Sequence, residues 1–566
     1  MRRTALRVAL AGGAALLALT GCTNAPPPPL VTTEVARTAP TSKPDLGEVV
    51  IAVDSVAGGN NPHKLADQST LTTALAQAVL PSVFRPGPDG TPRLDRTLMV
   101  SAEVTDAEPY TVTYRLRPEA SWSDSAPIAA EDFVYLWEQL RAAPGVVDGA
   151  GYRLITNISA REAGRVVEVT FAQPYPGWRS LFANLLPVHL LKDIPGGWAN
   201  ALRESYPVSG GPFNVRSLDR VRGEVILERN DRYWDAPATL DRVVLRRAEL
   251  DGITGGLRTG NSQLALTRLT ERGVAEMAAL EPEVAITQVP RPSVATVLLR
   301  PVGPAMADQR VRTALSALVD RQALIAAGTG GGPSATQVAN AQVQAPSATG
   351  YQATLPAGAF AGVDVAKADA LFTEAGFTKV DGVWAFGQTP LELVLAAPEG
   401  DEAYLAVARE LQRQLTAGGV RTRLETPSGE ELYGELLSGR QQSGAQEREV
   451  HLVVGPQPVG GDQATLPAVR FGCEPADGVD STAVVNAAGL CDQPVRDAAT
   501  AALTGQRPLP DVLAEVEPRV WAQAVAIPLF QEVDTLVRRR EVTGVDAGPP
   551  FAGPFAGSAR WGRAGG

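Results

Sequence analysis

The chain has 566 residues, 44% of them apolar and 20% charged, and carries a formal net charge of −11. That length is enough for two large lobes or about three to five smaller units, each with its own core. The acidic balance, with no Lys/Arg-rich block, excludes a partner held through its phosphate backbone, so no nucleic acid is expected.

The first element is a targeting segment. Arg2, Arg3 and Arg7 give a basic start, and Val8 to Thr20 is a nearly uncharged Ala/Leu-rich run. The run is too short to span a bilayer and suits the core of a signal peptide. It ends in Leu19-Thr20-Gly21-Cys22, which resembles the bacterial lipobox. Residues 1–21 are therefore expected to be a signal peptide, with Cys22 lipidated after cleavage. Residues 22–45, with Pro26 to Pro29 in a row, cannot form a core and read as an extended tether. No later stretch is long and apolar enough for a transmembrane helix. The expected location is the outer face of the cytoplasmic membrane, held there by the lipid.

Strand signals open the folded part at Val49–Val53, and a helical pattern runs from about Ser69 to Leu80. Thr111–Leu116 alternates as a strand, and Trp122–Pro127 reads as a turn. From Glu131 to Arg141, Phe133, Leu136, Trp137 and Leu140 fall on one helical face, behind acids that suit a first turn. Strands follow at Val166–Phe171 and Glu224–Glu228. In the second half, Asp308 and Asp364 can each cap a helix, the latter stopped by Gly376. Strand Leu391–Ala397, helix Glu402–Ala417, Gly418-Gly419 and strand Val420–Leu424 form a crossover unit, which requires two parallel strands. The class is α/β. The segment from Gly548 onward, rich in Gly, Pro, Ala and Arg, reads as a loose tail.

Chemistry is sparse. There is no Gly-x-Ser-x-Gly elbow and no Walker loop. Gly328-Thr329-Gly330-Gly331-Gly332-Pro333 follows a helix rather than a strand and reads as a flexible loop. His63, His189 and His451 lack metal-ligand spacing, so neither a metal nor another cofactor is expected. The acids are scattered and no catalytic pair stands out, so the chain is not expected to be an enzyme. Once Cys22 is assigned to lipid, Cys473 and Cys491 remain as a pair. Bridged, they would close a short loop worth about 3 kcal/mol. Two buried thiols are the alternative.

Four segments in order carry a family resemblance. They are Leu116-Arg117 with Trp122-Ser123-Asp124 and Ala130-Glu131-Asp132; Gly210-Gly211-Pro212-Phe213 with Glu228 to Trp234; Asp308 to Arg312 with Asp320-Arg321; and Ala368 to Phe372 with Ala375-Gly376-Phe377. The set resembles the family 5 extracytoplasmic solute-binding proteins, the oligopeptide/dipeptide-binding class of ABC importers. Two departures are Ser125, where Gly is usual, and Ala129, where a capping Thr is common. The resemblance implies a two-lobed periplasmic-binding-protein-like fold (type II, cluster C) with an extra subdomain in the first lobe. The expected limits are residues 46–290 for lobe I, with the subdomain at about 82–205, residues 291–525 for lobe II, and residues 526–566 for a return to lobe I and the tail. The crossings are expected near Val289–Val294 and Ala526–Leu529. Further stretches, among them Asn61-Pro62-His63, Pro144 to Asp148 and Arg470 to Cys473, resemble a branch linked to the balance of phosphatidylinositol mannosides and lipoarabinomannan.

The resemblance implies a ligand between the lobes. Peptide-binding members often place a Trp and a downstream Asp in the second lobe to hold the peptide amine. Here Pro456 stands at the Trp position, and no acid follows until Asp462. Gln457 and Asp462 instead suit a neutral, hydroxyl-rich ligand such as a mannoside headgroup; a surface loop with no ligand is the alternative. Asn61 and His63 are placed at the cleft, and Trp178 is placed to stack on a ligand ring. The alternatives are a loop histidine and a core tryptophan. The expected partners are a small polar ligand (a glycolipid headgroup or a peptide), an ABC permease or a membrane glycosyltransferase, and the membrane through the lipid. Three functions are weighed: a binding lipoprotein acting on mannolipid synthesis, the binding subunit of an importer, and an envelope hydrolase on a borrowed scaffold.

Overall fold

The structure, a computed structural model, describes residues 47–438, 448–471 and 486–564. Cys22, Cys473, the signal segment and the tether lie outside the described residues. Cys491 is disulfide-bonded.

Ten strands share one sheet. From edge to edge they are Arg421–Glu425, Glu392–Ala396, Leu452–Pro458, Val284–Leu299, Ala526–Arg539, Leu264–Thr267, Glu48–Val53, Arg242–Arg247, Glu224–Arg229 and Phe213–Asp219. The two long central strands, Val284–Leu299 and Ala526–Arg539, run antiparallel through both halves of the sheet. Val284 to Pro290 pairs with Arg539 to Val533, next to Leu264–Thr267. Val294 to Leu298 pairs with Gln531 to Ala526, next to Leu452–Pro458. Between these stretches the register shifts, at Pro290-Arg291-Pro292. Neither proline can donate to the ladder, so the pairing breaks there.

Each half has its own core. Val49, Ile51, Val243 and Leu245 face one, with Leu75 and Val79 of the helix Thr70–Val79. Ala295, Val297, Leu393 and Leu395 face the other, with Leu411 and Leu415 of the helix Glu402–Ala417. Two cores joined by two crossing strands make two lobes. The crossover unit in the second lobe is parallel, from Glu392 opposite Arg421 to Ala396 opposite Glu425. Asp401 caps its helix by accepting from the N–H groups of Ala403 and Tyr404.

The first lobe carries an extra four-stranded antiparallel sheet, in the order Met99–Ala107, Tyr110–Leu116, Val166–Phe171, Ile155–Arg161. The helix Ala130–Ala142 covers it with Phe133, Leu136 and Leu140 buried. Asp132 ties this helix down, accepting from the N–H groups of Ala129 (3.1 Å) and Val188 (3.0 Å) and from the Trp122 indole (3.3 Å). Ser125 sits at φ +78°, the left-handed conformation that explains why Gly is the usual residue in that turn.

Two segments are more ordered than their composition suggests. The glycine run is not loose: a Cβ on Gly332 would lie 1.7 Å from the Leu269 carbonyl oxygen, so the chain packs there at close approach. The tail is not loose either. Phe555 and Trp561 are buried in the first-lobe core with ring centroids 4.8 Å apart, and Gly562–Arg563 pairs with Val542–Thr543. Its Gly/Pro/Ala/Arg content conceals two aromatic anchors whose partners lie far away in the sequence.

Candidate functional site: the cleft between the lobes

A cavity of about 720 Å³ lies between the lobes. First-lobe residues between Pro62 and Asn184 form one wall, and Ser347, Thr349, Pro458 and Gly460 to Gln463 form the other. Pro292 of a crossing strand and Pro550 to Ala552 of the tail complete it. A cleft of this size with a few polar groups is the usual place for a small ligand.

A cluster of charges ties the crossing together. Glu532 is buried and paired with both Arg268 (3.0 Å) and Arg291 (3.3 Å). Burial alone would raise its pKa, but the two guanidinium groups outweigh that and hold it below the ordinary value. Arg268 also pairs with Asp401 (3.1 Å), at the N-terminus of the second-lobe helix Glu402–Ala417. One arginine from the first lobe therefore joins the crossing strand to the second lobe. Further contacts bridge the lobes: Lys64 pairs with Glu430, and Val469 and Leu503 of the second lobe pack into the first-lobe core.

His63 lines the cleft. Its Nε2 lies 2.9 Å from the Asn184 carbonyl, which can only accept, so Nε2 carries the proton. Burial lowers its pKa to about 4, against a smaller opposing effect of that hydrogen bond. The ring is therefore neutral and presents Nδ1 as an acceptor. Asn61 is buried behind it: its Oδ1 accepts from the His63 N–H (3.0 Å), and its own N–H donates to Asp67 (3.0 Å). Asn61 thus shapes the loop without lining the cavity.

Asp462 lines the opposite wall. It caps the turn Gln463–Thr465 by accepting from the Ala464 N–H (3.1 Å), and it receives the Tyr175 hydroxyl from the first lobe at 3.2 Å. Burial raises its pKa. The loop that carries it is held by Arg470, whose guanidinium donates to the carbonyls of Gln342 and Pro458, each at 2.6 Å. Gln457 is buried in the strand Leu452–Pro458, opposite Val294, and does not line the cavity. Trp178 is also buried, edge-to-face with Phe84 (5.5 Å) and Tyr114 (6.0 Å), and lies behind the wall.

Asp148 is the residue sequence reasoning missed. It lines the cleft from the first lobe, and its Oδ1 is buried with no hydrogen-bond partner. A Cβ on Gly461 would lie 2.7 Å from its Oδ2, so the Asp462 loop packs directly against it. Burial, and after it the charge of Asp462, push its pKa up to about 7. Its segment, Pro144 to Asp148, stood out in the sequence, but nothing local marks this acid; its partners come more than three hundred residues later.

The cleft thus presents two half-buried carboxylates from opposite lobes and a neutral imidazole. All three accept hydrogen bonds, which suits a ligand rich in hydroxyl or ammonium donors.

The family model for bacterial extracellular solute-binding proteins, family 5 Middle, matches residues 97–457. The chain is 33% identical to the probable monoacyl phosphatidylinositol tetramannoside-binding protein LpqW of Mycobacterium tuberculosis (strain ATCC 25618 / H37Rv), over 96% of each chain. It is 28% identical to the oligopeptide-binding protein OppA of Mycobacterium bovis, over 51% of this chain and 50% of that one. Among solved structures, the periplasmic EDTA-binding protein EppA superposes with a TM-score of 0.70 at 25% identity, over 92% of this chain and 96% of that one. The oligopeptide-binding protein AppA of Bacillus subtilis, solved with a nonapeptide, has the same fold, with a TM-score of 0.73 at 15% identity over 92% and 99% of the two chains.

Proposed function

Since the chain belongs to family 5 of the bacterial extracellular solute-binding proteins, we propose that it closes its lobes on the headgroup of a phosphatidylinositol mannoside and acts without catalysis. The observation that carries this reading is the facing pair Asp148 and Asp462, with an unpartnered buried oxygen on Asp148. A buried acceptor left unsatisfied costs stability, roughly 1–3 kcal/mol and more when charged. A ligand hydroxyl would remove that cost, and O–H···O⁻ bonds are among the stronger kinds. Neutral His63 adds a third acceptor without adding charge. The name of the LpqW relative, at 33% identity over almost the full length, supports the same ligand class.

In this reading lobe I comprises residues 46–290 and 526–566, lobe II comprises residues 291–525, and closure bends the chain at the register shift in the two long strands. His63 and Asp462 contact the ligand, and Asn61 positions His63. Cys22 carries the lipid, Cys473 is the partner of Cys491, and the tether keeps the cleft near the membrane surface. There the ligand passes to a membrane glycosyltransferase of mannolipid and lipoarabinomannan synthesis, or to an ABC permease.

A second reading is the binding subunit of an importer for oligopeptides. The same acid pair favours it, because a buried ammonium needs carboxylate partners. Calorimetric titration of the full chain separates the two. The proposal expects deacylated phosphatidylinositol tetramannoside to bind and mixed oligopeptides not to. Tight peptide binding with no response to the mannoside would overturn it.

A further inference from the structure

Two arginines line the cleft, and their states differ. Each guanidinium nitrogen of Arg85 already has an acceptor: Asp95 (2.6 Å), Gln77 (3.1 Å) and the Leu80 carbonyl (3.0 Å). Arg179 is exposed, and its guanidinium lies over the Trp178 ring, 4.2 Å from the centroid. Among the described residues no carboxylate forms an ion pair with it, and no side-chain hydrogen bond occupies its donors.

The stacking matters. Trp178 is buried and wedged between Phe84 and Tyr114, so the ring beneath Arg179 is a fixed platform. A guanidinium lying on a ring has one flat face covered while its N–H edge stays open. That edge is a preset fork of donors, the geometry that matches phosphate and carboxylate oxygens. Neither Asp148 nor Asp462 forms an ion pair with it, so the cleft offers hydroxyl acceptors together with an unpaired cation.

We propose that Arg179 is the anion subsite of the cleft and holds the phosphodiester of the ligand, while His63, Asp148 and Asp462 take its hydroxyl groups. This rests on the glycolipid reading above and sharpens it to a phosphorylated polyol. It makes Arg179 the residue that separates phosphate-bearing mannosides from free ones.

The test uses the full chain, its Arg179→Ala and Arg179→Lys variants, and three probes: deacylated phosphatidylinositol tetramannoside, the same glycan without its phosphate, and inorganic phosphate. Because Arg179 is exposed, both variants should keep the wild-type melting temperature. Wild type is expected to bind the phosphodiester form about tenfold more tightly than the phosphate-free glycan. Arg179→Ala should remove that preference while leaving the phosphate-free affinity unchanged, and Arg179→Lys should fall between. Equal loss on both glycans, or no loss on either, would overturn the proposal. If wild type binds neither glycan, the glycolipid reading fails and the subsite is judged on inorganic phosphate at constant ionic strength. Binding by wild type and not by Arg179→Ala upholds it; the same response in both overturns it.

Discussion

Replacing Asp148 with Asn should make the protein more stable and a poorer binder. The carboxyl has an ordinary pKa of 3.8 in the unfolded chain and is pushed to about 7 by burial and by Asp462. The folded protein therefore holds this proton more tightly than the unfolded chain does. The contribution of the group is fully present below pH 3.8 and is lost as the pH rises through about 7. At about 1.36 kcal/mol per pH unit of separation, the buried charge costs at most about 4 kcal/mol at pH 8. Asn carries no such charge at any pH. The stability difference between Asp148→Asn and wild type should be near its minimum at pH 4, grow between pH 4 and 7, and level off above. Urea unfolding at closely spaced pH values reads it directly; the expected rise is roughly 1–4 kcal/mol, because neighbours relax. At pH 7.5 the same variant should lose about tenfold or more in affinity for deacylated phosphatidylinositol tetramannoside, having lost a charged acceptor. A stability difference that stays flat with pH, or a variant that binds as well as wild type, would refute the reasoning.

Two further outcomes follow from the structure and a third from the proposed lipid anchor. Glu532→Gln removes the carboxylate that Arg268 and Arg291 share at the crossing, leaving Arg268 to Asp401 and Arg291 to the more distant Asp534 (3.9 Å), and should cost about 3 kcal/mol in urea unfolding; a loss below about 1 kcal/mol would mean that Glu532 does not hold the crossing. Phe555→Ala removes a buried ring from the first-lobe core and should cost about 3–5 kcal/mol, whereas a truly loose tail would tolerate it without change. Cys22→Ser should fold and bind ligand normally but appear in the culture medium instead of the membrane fraction; retention in the membrane would show that the lipid on Cys22 is not the anchor.

Local signals were readable in the sequence wherever a residue's structural partners are close along the chain. Asp364 and Asp308 cap the helices Val365–Glu374 and Gln309–Ala317 as their spacing predicts. The crossover unit at 391–424 is parallel because its helix and its glycine pair leave no other connection. The family motif at Trp122 to Asp132 is legible because Asp132 and Trp122 bond to each other within ten residues. What escaped depends on contacts between distant segments. Trp178 is an ordinary tryptophan in sequence, and only Phe84 and Tyr114 place it in the core rather than the cleft. Asp148 becomes a site residue only when the loop at Gly461-Asp462 is brought against it. Phe555 and Trp561 were hidden by the glycines and prolines around them, since a local composition cannot report a core built from strands hundreds of residues earlier.

The central claim is that the cleft holds a phosphoinositol mannoside. The most direct measurement is mass spectrometry of the small molecules released when the protein, purified from its own cells, is denatured. The account predicts stoichiometric release of a phosphatidylinositol mannoside, sharply reduced in Asp148→Asn. Release of peptides in its place, with no mannolipid above the level of a control lipoprotein, would contradict it.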